Sequence, residues 1–156
     1  MDDFSISYKN RFVESKEKRP SLAVIAATTL PTGAREIGEN HLQPQIALEA
    51  QGDFSDKLSW NLDGVYTRAS DDGQQFDQGA SGATLNYAAT KALTFFAETY
   101  LLTQQGSGQS YGADGGVTYL LGRNTQLDFS FGHGLNGVGA QDSANSFVAF
   151  GIAQRF

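Results

Sequence analysis

Hydrophobic and polar residues alternate along most of this chain. Between Asn124 and Leu135, Thr125, Leu127, Phe129, Phe131, His133 and Leu135 fall on one side of an extended backbone, and Gln126, Asp128, Ser130, Gly132 and Gly134 on the other. Leu58, Trp60, Leu62, Gly64 and Tyr66 oppose Ser59, Asn61, Asp63, Val65 and Thr67 in the same way. Leu93, Phe95, Ala97 and Leu101 oppose Thr94, Phe96, Glu98 and Tyr100. The final stretch sets Val148, Phe150, Ile152, Gln154 and Phe156 against Ala149, Gly151, Ala153 and Arg155. A period of two is that of a strand with one apolar face, and no helical period is sustained. The pattern predicts nine strands, at residues 3–13, 20–30, 43–52, 56–69, 79–89, 91–104, 110–121, 124–135 and 145–156. These lengths suit the ~9–11 residues that a tilted strand needs to cross a bilayer.

The connections differ in length by side. Those at 52–56, 88–91 and 122–124 are tight, and by parity 14–19 falls on the same side. Residues 31–42, 70–78, 104–110 and 135–145 are longer, polar and rich in Gly, Asp and Gln. Short turns on one side and long loops on the other are the pattern of outer-membrane barrels, whose apolar residues face lipid and whose polar residues line the interior. The expected fold is therefore all-β, an antiparallel transmembrane β-barrel of about 8–9 strands or the C-terminal part of a larger one. It forms one domain or barrel fragment over residues 1–156. Nine strands leave the first and last running in the same direction, whereas single-chain bacterial barrels have even counts. Either residues 3–13 stay out of the wall or upstream strands are missing. The second is the expectation, because Met1-Asp2-Asp3 opens no secretory signal.

Composition sharpens this in three ways. Charged residues are only 18%, while Gly numbers 18, Phe 11 and Tyr 6, a balance that suits pleated surfaces with close-packed or bent positions. The net charge of −6 makes nucleic acid an unexpected partner, and the run Lys16-Glu17-Lys18-Arg19 is interrupted by acid. Cysteine is absent, which removes disulfides, thiolate chemistry and the commonest structural zinc sites. The longest apolar run, residues 22–27, falls far short of the ~18 residues of a spanning helix.

A terminal aromatic on an alternating strand resembles the closing strand of outer-membrane barrels, where that end is read by the assembly machinery. The resemblance implies Phe156 as an assembly signal, with outer-membrane lipid and the barrel assembly machinery as partners. A set of ordered short segments also carries a family likeness. Asp3-Phe4-Ser5-Ile6-Ser7-Tyr8-Lys9-Asn10-Arg11-Phe12, Arg19-Pro20-Ser21-Leu22-Ala23 and Leu30-Pro31-Thr32-Gly33 begin it. Phe96-Ala97-Glu98, Gly115-Gly116-Val117-Thr118-Tyr119-Leu120-Leu121, Gln126-Leu127-Asp128 and Gln154-Arg155-Phe156 continue it. Together they resemble the outer-membrane transporters associated with the meta-pathway of phenol degradation. The resemblance implies a Gram-negative-type outer membrane and a transporter class without a particular solute. Members of that family usually carry a signal peptide and several strands before the Lys-x-Arg-Phe strand, near which this chain begins.

Barrel alternation places Lys9, Arg11, Glu49, Asn61, Asp63, Asn86, Glu98, Asp114, Gln126, Asp128 and Arg155 on the inner face. The physical cause is that Lys or Arg facing hydrocarbon costs ~2–4 kcal/mol at the midplane. Two readings of this set stay open. It is a lumen that selects solutes by charge and size, or a plug of paired charges, since ~8 strands leave an interior just wide enough for side chains. Trp60, Tyr66, Tyr87, Phe95, Tyr111, Tyr119 and Phe150 are expected to face lipid, some of them as interfacial girdles. Phe96 and Tyr100 point inward, either as a hydrophobic-ligand site or as filler.

Other chemistry finds little footing. His41 and His133 lack partners at ligand spacing, so no metal site is expected. No nucleophile elbow is present. Asp71-Asp72-Gly73 reads as a turn before a calcium loop, and Gly106-Ser107-Gly108 lacks the strand-to-helix setting of a phosphate cradle. The expected function is passive passage of small solutes, hydrophobic or aromatic ones included, with no enzyme activity and no cofactor. The alternatives are a non-conducting structural outer-membrane barrel with interaction loops, and a soluble ligand-binding β-barrel. The last would bury Trp60 and Phe129.

Overall fold

The computed structural model describes residues 3–15, 19–33, 41–71, 74–137 and 146–155. Within them, nine strands form one antiparallel sheet in chain order. They are β1 (Phe4–Val13), β2 (Ser21–Leu30), β3 (Gln43–Asp53), β4 (Leu58–Asp71), β5 (Gln74–Ala88), β6 (Leu93–Gln104), β7 (Gly108–Leu121), β8 (Thr125–Gly137) and β9 (Ser146–Gln154). All nine predicted strands are present. β1 and β9 run in the same direction, and among the described residues neither pairs with the other.

Two predicted loops are instead strand. Across 70–78, Ser70 pairs with Gln75 and Asp71 with Gln74, so the β4–β5 ladder extends almost to its tip. Polar residues occupy both faces of this extension, which removes the alternation that would mark it as a strand. Local contacts hold it together: Arg68 Nη1 donates to Asp77 Oδ1 at 2.6 Å, and the Tyr66 hydroxyl donates to the same oxygen at 2.7 Å. Across 104–110 the connection contracts to a three-residue turn, with left-handed backbone at Gly106 (φ 84°) and Gly108 (φ 87°). An L side chain at either position would be strained. Of the other two long segments, residues 34–40 and 138–145 lie outside the described residues, and β8 extends to Gly137.

At the opposite end the turns are tight for local reasons. Ser55 Oγ accepts from the backbone N–H of Leu58 at 3.1 Å, and Thr90 Oγ1 accepts from those of Ala92 and Leu93 at 3.1 and 3.0 Å. A hydroxyl that takes a backbone donor two or three residues on closes a turn without further chain. Gly122, at φ 80°, makes the bend between β7 and β8.

The sheet is strongly staggered. The hydrogen-bonded row that starts at Leu22, near the first residue of β2, passes through Ala50, Leu62, Ala83, Thr99, Ala113 and His133. It leaves the sheet at Ser146, the first residue of β9. Because β2 and β9 run in opposite directions, the row crosses from one end of the sheet to the other. Such a progressive shift is what strand tilt and shear produce in a barrel wall.

The interior of an ordinary globular sheet is missing among the described residues. Only small side chains are buried there (Ala23, Ala47, Ala69, Ser21 and Ser70), and no large side chain is fully buried. The large hydrophobics are exposed, and the register gathers most of them on one face, from Ile6 and Tyr8 in β1 through Leu48, Leu62, Leu85 and Phe95 to Phe129, Phe150 and Ile152. Phe129 and Phe150 sit directly opposite each other on that face, ring centroids 5.0 Å apart. All seven aromatics expected to face lipid lie on it.

Candidate functional site: the polar face of the sheet

The Arg68–Asp77 pair is on the apolar face, near the β4–β5 tip, and the other face carries most of the charged residues. Cross-strand pairing places Lys9, Arg11, Glu49, Asn61, Asp63, Asn86, Glu98, Asp114, Gln126 and Asp128 together on it. Arg155 follows the end of β9, where its backbone N–H donates to the Asn124 carbonyl at 2.8 Å. Phe156 lies outside the described residues.

Within this face the charges are arranged unevenly. Lys9 on β1 reaches across β2 to form an ion pair with Glu49 on β3. Glu49 is directly opposite Asp63, and Glu98 directly opposite Asp114. Like charges directly opposite are unfavourable unless water or donors surround them. Thr84 Oγ1 donates to Glu98 Oε2 at 2.7 Å, and Gln126 Nε2 donates to Asp128 Oδ1 at 2.6 Å. Among the described residues, no Lys or Arg lies on the polar face of β4 to β9, so Asp63, Glu98 and Asp114 at mid-strand and Asp128 nearer the tight-turn end of β8 form an acidic tract. Arg11, on edge strand β1, and Arg155, just past the end of β9, stand apart from it at the end where the tight turns lie.

Towards the long-hairpin end the face becomes uncharged. Gln45, Thr67, Gln78 and Gln104 follow one another along a single row across β3 to β6. Gln45 Nε2 donates to Thr67 Oγ1 at 3.1 Å, and Gln78 Nε2 to Gln104 Oε1 at 2.9 Å. With Val65, Ala80 and Leu102 they line a cavity of about 450 Å³. Sequence reasoning missed this amide row because Gln78 fell in an expected loop, and only the register aligns its members.

The inward aromatics have a specific setting. Phe96 is opposite Gly116, Tyr100 opposite Gly112, and Phe147 opposite Gly132. In each pair the ring lies over the glycine, in the space that a β-carbon would need. Only a glycine at the opposed position lets a ring lie flat on the sheet in this way. His133, by contrast, is on the apolar face, with its Nδ1 2.9 Å from Ser146 Oγ. Among the described residues, no group of three or more His, Asp or Glu side chains is placed to hold a metal ion.

An open-faced hydrophobic surface, an opposed polar face and a staggered antiparallel meander define an all-β protein of the barrel-like class. Over residues 2–156 the chain matches the family described as "Putative MetA-pathway of phenol degradation", and it belongs to that family. The family's description connects it with phenol degradation. No curated protein gives a significant match.

Proposed function

We propose that this chain forms the wall of an outer-membrane β-barrel that passes small solutes passively, without enzyme activity. The carrying observation is the inverted amphipathicity of the sheet: many large hydrophobics outside β2 stay exposed, most of them on one face, while Lys9, Arg11, Glu49, Asp63, Glu98, Asp114 and Asp128 collect on the other. In water, so much exposed apolar surface is a liability; against hydrocarbon it is the stabilising side. The polar face then lines the route, and family membership supports the transporter class. Small hydrophobic and aromatic solutes fit the half-buried rings of Phe96 and Tyr100 along it.

The carboxylates of the acidic tract set the charge preference. Asp63, Glu98, Asp114 and Asp128 favour cations and neutral solutes over anions, because the field of one sign is focused within low-dielectric walls. The test is single-channel recording across a salt gradient. The wild type should show a cation-selective reversal potential, and Glu98→Gln or Asp128→Asn should move it towards zero. A bilayer that stays silent with correctly folded protein would sink the reading.

A further inference from the structure

We propose that Gly112 seats the Tyr100 ring against the wall and so keeps the passage lined by the polar face open. This rests on the transport reading above. Phe76 of β5 and three rings of β6 and β9 are on this face, and a ring standing free would project into the route. Phe96, Tyr100 and Phe147 lie aside instead, each seated on a glycine of an adjacent strand.

The Tyr100 seat is the cleanest of the three. The three heavy atoms nearest a β-carbon at Gly112 would all belong to the Tyr100 ring. At Gly116 the Phe129 carbonyl also intrudes, and at Gly132 the β-carbon of Asp114 does. Gly112 is buried, as a residue without a side chain can be only when a neighbour covers it. The neighbour of Tyr100 on its other side is Gly82, but that seat is taken: a β-carbon there would stand 2.8 Å from Asp63 Oδ1. A ring driven off Gly112 therefore has no second place on the wall. With few staggered rotamers to choose from, it must turn into the open side, where its ~3.5 Å thickness narrows the route.

The experiment records single-channel conductance of the full chain in planar bilayers for the wild type, Gly112→Ala, Tyr100→Ser and the double variant. Heat-modifiable gel mobility reports folding of each. Gly112→Ala should lower conductance below the wild-type range, because passage depends on pore diameter and the displaced ring narrows it. The double variant should recover the wild-type range, and Tyr100→Ser alone should stay close to it, since the ring already lies aside. Unchanged conductance in Gly112→Ala, or a double variant as narrow as the single, overturns the inference and leaves the transport reading standing. A large rise in Tyr100→Ser alone also overturns it, and decides the matter even if Gly112→Ala fails to fold. Silence from all four folded proteins overturns both.

Discussion

Leu62 and Ser130 show how differently the two faces should treat a charge. Leu62, 48% exposed, is on the apolar face near the middle of the staggered row. Leu62→Arg is expected to cost about 2–4 kcal/mol of folding free energy in lipid, the depth-dependent cost of a cation facing hydrocarbon. Ser130→Lys, on the polar face of β8, should cost much less. Urea titration of the protein folded into phospholipid vesicles separates them; equal losses would contradict the assignment of faces. These two positions were legible in the sequence, because a period of two sorts residues without reference to any partner. The seating of Tyr100 on Gly112 was not. It depends on the register between β6 and β7, and a slip of one residue would have turned Gly112 to the opposite face.

Among the elements, hairpins are held in unequal ways. The β7–β8 bend depends on Gly122 at φ 80°. Gly122→Ala should destabilise the fold by about 1–2 kcal/mol, the cost of a left-handed backbone for an L residue; an unchanged urea midpoint would refute this. The β4–β5 tip instead relies on Arg68 and Asp77, which are both well exposed. An exposed ion pair contributes only about 0–1 kcal/mol, so Arg68→Ala should leave the global midpoint almost unchanged while speeding proteolysis at the hairpin. Loss of the whole fold would show the tip to be structurally central. This hairpin also marks where sequence reading ran out. With polar side chains on both faces, residues 70–78 carry no amphipathic signal, and the backbone ladder that pairs them is invisible to a pattern of hydrophobicity.

At the scale of the molecule, an all-β fold with its large hydrophobics outside should depend on its surroundings. In detergent micelles the chain is expected to show a β-type circular dichroism spectrum, and in buffer without amphiphile to sediment as aggregate. A monodisperse folded species in plain buffer would favour the soluble alternative. The nine strands and their order could be foreseen because tight turns and a simple meander leave little choice of neighbour. Strand stagger could not, since it accumulates from pairings that no single strand encodes.

That stagger alters what the carboxylates do. Because each row climbs from one strand to the next, Glu98 and Asp114 are side by side in the sheet yet offset in depth. The acidic tract therefore spreads over several levels of the sheet: the row of Asp114 meets Gly132 on β8, and Asp128 lies four residues nearer the tight-turn end. On the transport reading, a cation passing along this face would meet these carboxylates at separate stations. No single station would then hold it with the combined attraction of all four, and the charges that would draw it in would also let it leave.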